Sequence, residues 1–186
     1  MVGPGAVAHQ AAQATAFEGR QGGRALSRAV EPIVAALVKG ALMDPPVLDD
    51  HLEDLQAHGF GDPALDELAR EIIRLRLSAD VLDSEALRRH LAASGYSALL
   101  GEIDKAALKS GAPFLVPESS PTLARSHWSH AFALVTRTAA LESEIESAKS
   151  SLADRSDMEA LERLKAQRDL AKRAIKDGTI WEGGGS

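Results

Sequence analysis

The sequence contains no cysteine. Disulfide staples, thiolate zinc sites and a cysteine nucleophile are therefore excluded. A cytoplasmic protein is the expectation, since a reducing compartment gives disulfides no role. Aromatic residues make up only 4% of the chain. Ala and Leu supply most of the apolar content instead, and both lose little side-chain entropy in a helix. No apolar run approaches the roughly 20 residues needed to span a bilayer. The N-terminal stretch lacks a charged segment followed by an apolar one, so no signal peptide is visible. Alternating strand patterns are absent throughout.

Charge is present in both signs but unevenly placed. From Val30 to Gly111 there are 15 acidic and 8 basic residues, a net of −7. From Ser119 to Asp177 there are 9 acidic and 10 basic residues, a net of +1. Attraction of Lys and Arg to phosphates supplies most nonspecific nucleic-acid affinity. A segment at −7 repels phosphates, so direct DNA or RNA binding is not expected.

Residues 1–27 are rich in Gly, Ala and Gln, with Gly3-Pro4-Gly5 and Gly22-Gly23 among them. Such a stretch buries too little surface to offset its ordering entropy and reads as a flexible linker. Residues 28–112 read as a helical bundle. Pro32 opens the first helix, with Ile33, Val34, Leu37, Val38 and Leu42 at helical spacing. Pro46 starts a second, carrying Val47, Leu48, Leu52 and Leu55 and stopped by Gly59. Asp62-Pro63 opens a third with Leu65, Leu68, Ile72, Leu75 and Leu77. Asp83 or Ser84 caps a fourth, with Leu87 and Leu91. Ser97 caps a fifth, with Leu99, Leu100, Ile103 and Leu108.

Residues 113–120 form a loop, and 121–178 a long hairpin. Leu134, Thr138, Leu141, Ile145, Ala148 and Leu152 alternate spacings of 4 and 3, which is a heptad seam. Ala153-Asp154-Arg155 break it. Ser156 and Glu159 have the spacing of a capping box. Leu161, Leu164, Arg168, Ala171 and Ile175 repeat the seam, so the two helices fold back as an antiparallel pair. Residues 179–186 read as a flexible tail. The expected fold is all-α: a compact bundle followed by a long antiparallel helical hairpin.

Candidate chemistry is thin. His127 and His130 have a ligand-compatible spacing, but no third ligand lies near them in sequence. A solvated or stacked pair beside Trp128 is the plainer reading. His51 and His58 are read as surface residues, His90 sits on an ordinary helix, and His9 falls in the linker. Asp49, Asp50, Glu53 and Asp54 cluster at a helix start, where they favour the positive end of the helix dipole. No nucleophile has an identifiable base. No catalytic, cofactor or metal residue is therefore assigned. What remains is surface: Met158, Leu170, Ile180 and Trp181 fall off the seam or beyond it and are candidate partner contacts. Trp181 is a candidate anchor, as Trp often is at interfaces, though local packing explains it equally. Arg70, Arg74, Arg76, Arg88 and Arg89 are the densest basic residues of the bundle. Arg70, Arg74 and Arg88 are candidates for meeting an acidic peptide tail.

Several stretches resemble one family. Glu31-Pro32-Ile33-Val34-Ala35-Ala36-Leu37, closed by Asp44-Pro45, resembles the start of the helicase-binding region of bacterial replicative DNA primases of the DnaG type. Phe60 to Ile103, with Asp83-Ser84-Glu85-Ala86-Leu87, looks like its middle helices. Trp128 followed by Leu141-Glu142-Ser143-Glu144-Ile145 is similar to its long hairpin helix, and Ser156 to Leu170 to the return helix. The resemblance spans roughly Val30 to Ile175.

The resemblance implies a C-terminal module with no catalysis of its own. Its hairpin would recruit the hexameric replicative helicase of the DnaB type. In some members of the family the same region also binds the acidic tail of single-stranded DNA-binding protein. Zinc and magnesium would belong to other domains of the parent primase, and this chain would carry no cofactor. The nearest alternative is the N-terminal domain of the helicase itself, similar in fold. An unrelated helical-bundle adaptor is another, and a ligand-binding bundle or enzyme a third. The charge distribution yields a first test. Titration with double-stranded DNA at physiological salt is expected to show binding weaker than about 10⁻⁴ M. Micromolar binding with a steep salt slope would contradict it.

Overall fold

A computed structural model describes residues 29–78, 83–150 and 155–184. The expected linker, His9, the seam position Leu152 and most of the hairpin break lie outside the described residues. So does the side chain of Ser156, and with it the expected capping box. Every element among the described residues is helical, and none is a strand.

Helix α1 (Pro32–Met43) begins with Pro32, whose missing N–H sits where a helix needs no donor partner. It is the central element, burying Val34, Leu37, Val38 and Leu42. Pro45 and Pro46 then remove two backbone donors in succession. The chain responds with a 3₁₀ stretch over Pro45–His51 before α2 (Leu52–His58) begins. The single helix expected from Pro46 is thus half 3₁₀. Asp62 accepts from the Ala64 amide at 3.0 Å and sets up α3 (Asp66–Ser78). Asp83 accepts from the Ala86 amide at 2.7 Å and caps α4 (Ser84–Leu91).

One π turn, Ala92–Tyr96, joins α4 to α5 (Ser97–Ala107). Gly95 makes the bend at φ 91°, a conformation L side chains rarely adopt. Ser97 is not a cap: its hydroxyl points back to the Ala92 carbonyl at 3.4 Å. Leu77 and Leu108, expected on apolar stripes, are exposed. Leu77 sits in the last turn of α3 and Leu108 just past α5, where the helices have run beyond the core.

The long helix α6 (Pro121–Ser150) spans about 45 Å, and α7 (Arg155–Lys176) runs back along it. The seam forms as the heptads require, burying Thr138, Leu141 and Ile145 of α6 with Leu161 and Ala171 of α7. Thr138 satisfies its hydroxyl within its own helix, on the Leu134 carbonyl at 2.8 Å. Lys172 pairs with Glu142 across the two helices at 2.5 Å.

The bundle core does not stop at the loop. It continues through Phe114 into the first half of α6, where Trp128, Ala131, Phe132 and Val135 belong to the same buried cluster. Trp128 is 2% exposed, and its indole N–H donates to the Leu37 carbonyl at 2.8 Å. It stacks on Phe132 with ring centres 4.8 Å apart and planes tilted by 14°. Gly40 makes this approach possible: a β-carbon there would lie 2.6 Å from Trp128 Cδ1.

Part of the expected flexible tail is helical and packs on the bundle. Thr179–Gly184 forms a 3₁₀ turn. Ile180 is 2% exposed within the bundle core, and Trp181 meets Phe114 edge-on at 5.6 Å. The hairpin is therefore rooted at both ends. Ile180→Ala is expected to destabilise the fold by about 2–5 kcal/mol and Trp128→Ala by about 3–5. Urea unfolding of the two variants checks this. A wild-type midpoint for Ile180→Ala would mean the terminal turn carries no stability.

Candidate functional site

Helix α7 exposes two large apolar side chains. Met158 is 52% exposed and Leu170 70%. The two lie twelve residues apart, which is about 18 Å along the helix and a third of a turn around it. They are separate apolar points on a charged rod, not one patch. Lys165, Arg168, Lys172 and Arg173 stand between or beside them, with Glu162 and Asp169 interleaved. Lys165 pairs with Glu162 and Arg168 with Asp169, each on its own helix. Exposed pairs of this kind contribute little to stability, so they leave the face free to exchange partners.

Ile180 and Trp181 do not join this face. Their apolar character serves the core, and Trp181 is half-buried against Phe114. Nothing periodic distinguishes a short core-filling turn from an exposed anchor, so spacing alone could not separate the two.

The basic residues of the bundle divide among different neighbours. Arg70 and Arg74 share an exposed strip of α3 at i, i+4 spacing. Arg74 is held by both oxygens of Glu71 at 2.7 and 2.9 Å, which raises its pKa above the ordinary arginine value. Arg88 turns toward α5, where Asp104 accepts from it at 2.6 Å and also meets Lys39. Arg89 pairs with Glu85, and Arg76 with Asp49. The three candidates for an acidic tail thus do not form one cluster.

Among the described residues no three of His, Asp and Glu are placed to hold a metal ion. His51 is not the surface residue its acidic neighbours suggested. Its ring lies 5.5 Å from that of Trp128 and 5.4 Å from Phe132, and its Nε2 is 2.8 Å from Ser129 Oγ. His58, His90 and His130 are exposed, and His127 is half-buried. Asp50, Glu53 and Asp54 remain a solvated acidic face.

Two concave features were not read from the sequence. An open crevice of about 800 Å³ separates the bundle from the root of the hairpin, between Ile33, Val34, Val135, Ile175 and Trp181. A smaller apolar pocket of about 390 Å³ opens beside Gly40, between Met43, Phe114, Ala124 and Trp128. A glycine inside the apolar pattern of α1 was its one sequence signal, since such a glycine marks close approach. No described helix is long and apolar enough to cross a membrane.

Comparison of the chain with protein-family models, with curated proteins and with solved structures found no match. The surfaces must therefore be read from their own geometry. Seam and outer-face residues of the hairpin should separate by stability. Ile145→Ala is expected to cost about 2–5 kcal/mol, while Leu170→Glu should shift the midpoint by less than about 0.5. Chemical denaturation followed by circular dichroism measures both. Equal losses would show that Leu170 packs rather than presents.

Proposed function

We propose that this chain is the helicase-binding C-terminal region of a bacterial replicative DNA primase of the DnaG type. The observation that carries the reading is the division of α6. Its first half, through Val135, fills the bundle core, while Leu141 and Ile145 are buried outside that core, in the seam with α7. The outer half of the hairpin is thus an arm whose apolar seam is closed and whose α7 face is open. Such an arm suits a lever that docks on a separate protein. The order of segments supports the same reading: bundle, proline-containing loop, Trp128, long hairpin.

On this reading the partner is the hexameric helicase of the DnaB type, in the cytoplasm. The chain recruits primase activity without catalysing a reaction or holding a cofactor. Zinc and magnesium serve the parent's other domains. Met158 and Leu170 are the contact residues, and Ile180 and Trp181 hold the arm to its base. Arg70 and Arg74 offer a second, weaker surface to the acidic tail of single-stranded DNA-binding protein.

The double variant Met158→Glu, Leu170→Glu should bind intact hexameric helicase at least about tenfold more weakly. Its melting temperature should stay near wild type. Surface-immobilised chain with helicase in solution measures the loss. Wild-type affinity in a folded double variant would remove α7 as the docking face. No binding to helicase by the wild-type chain, together with binding to intact primase, would favour a helicase N-terminal domain.

A further inference from the structure

Gly40 brings α1 close to Trp128 and also opens a hollow beside the contact. The apolar pocket of about 390 Å³ lies between the end of α1, Phe114 and the first turns of α6. Its walls are Met43, Val47, Phe114, Ala124 and Trp128. That volume is at the low end for ligand sites, which run from roughly 300 to 1,000 Å³. It holds a bulky side chain or two, not an extended cofactor. Apolar surface continues outside it. Met43, a wall residue, is 47% exposed, and Val116 and Leu123 nearby in sequence are also exposed. Met43 thus leaves part of an apolar wall open to solvent, where a partner side chain can cover it.

The mouth carries one ion pair. Arg125 Nε and Nη2 donate to the two oxygens of Asp44 at 2.5 and 2.9 Å. Both residues line the pocket. A guanidinium has five N–H groups and a carboxylate about four acceptor positions, so each partner keeps capacity for another bond. The mouth thus offers a donor and an acceptor side by side, with no net charge.

We infer that this pocket binds an uncharged peptide segment presenting one bulky apolar side chain. The side chain enters between Phe114 and Ala124. The flanking peptide unit is complementary to the mouth: its carbonyl accepts from Arg125 and its N–H donates to Asp44. An acidic segment would have to displace Asp44 from Arg125, with which it is already paired. A basic segment would have to displace Arg125 from Asp44. The inference stands apart from the helicase reading, which concerns α7 on the hairpin.

The test uses the whole chain and a minimal probe, N-acetylphenylalaninamide, followed by proton–nitrogen correlation spectra. Saturable shifts are expected at Gly40, Phe114 and the Trp128 indole N–H, with a Kd of roughly 1 mM for so small a ligand. Ala124→Leu, which fills the pocket, should abolish them. Met43→Lys alters a half-exposed wall and serves as a second blocking variant should Ala124→Leu fold poorly. Asp44→Asn with Arg125→Ala should weaken binding about fivefold. The free acid, N-acetylphenylalanine, should bind more weakly than the amide. Absence of saturable shifts at these residues, or binding that survives both blocking variants, overturns the site. Tighter binding of the acid, or equal binding of benzyl alcohol, overturns the assignment to an uncharged peptide.

Discussion

The contact of Trp128 with the middle of α1 is the constraint on which the architecture rests. A large indole is sealed in the core, with its only donor spent on the Leu37 carbonyl. That bond crosses 91 positions of sequence. It fixes α6 to α1 at one point and in one orientation. Phe132 stacks one turn further along α6, and His51 approaches both rings from the 3₁₀ stretch. A buried indole N–H without an acceptor would be costly, so register errors in this packing are penalised twice, in lost contacts and in an orphaned donor.

The rest of the hairpin follows from that point. Once the first half of α6 is committed to the bundle, its second half projects with its heptad seam exposed. Only α7 covers it. The terminal turn then closes the circuit by returning Ile180 to the core. The arm is therefore held by two anchors of different chemistry, far apart in sequence. One is an aromatic stack with a hydrogen bond, and the other an aliphatic plug with an edge-on ring contact.

Residues that signal locally were legible in the sequence. Pro32, Asp62 and Asp83 marked helix starts because capping and fixed φ are properties of a few neighbouring residues. Leu141, Ile145, Leu161 and Ala171 disclosed the hairpin because a seam repeats along a helix. What remained hidden depends on contacts between distant segments. Ile180 has no periodic companions, so a short turn that carries one core side chain looked like a tail. His51 looked solvated because Asp49, Asp50 and Glu53 surround it in sequence, whereas its ring neighbours are 77 and 81 positions away. Leu77 and Leu108 fit their helical stripes, but periodicity carries no information on where the core ends. Of the candidate contacts, Met158 and Leu170 are exposed, and the pocket beside Gly40 had no signal beyond that glycine because it is an empty space.

The return of Ile180 and Trp181 to the bundle bears on how the chain is made. Bundle residues through Phe114 are synthesised before either of the two anchors. At ordinary synthesis rates the stretch from Phe114 to Trp181 takes roughly 3 to 13 s. The indole that sits against Gly40 is missing only for the first 14 residues of that stretch, but the aliphatic plug of Ile180 is missing for nearly all of it. Its apolar groove lies open to chaperones and to other nascent copies. Slowing translation within the hairpin would lengthen this exposure, and the yield of folded protein should depend on the speed of that one stretch.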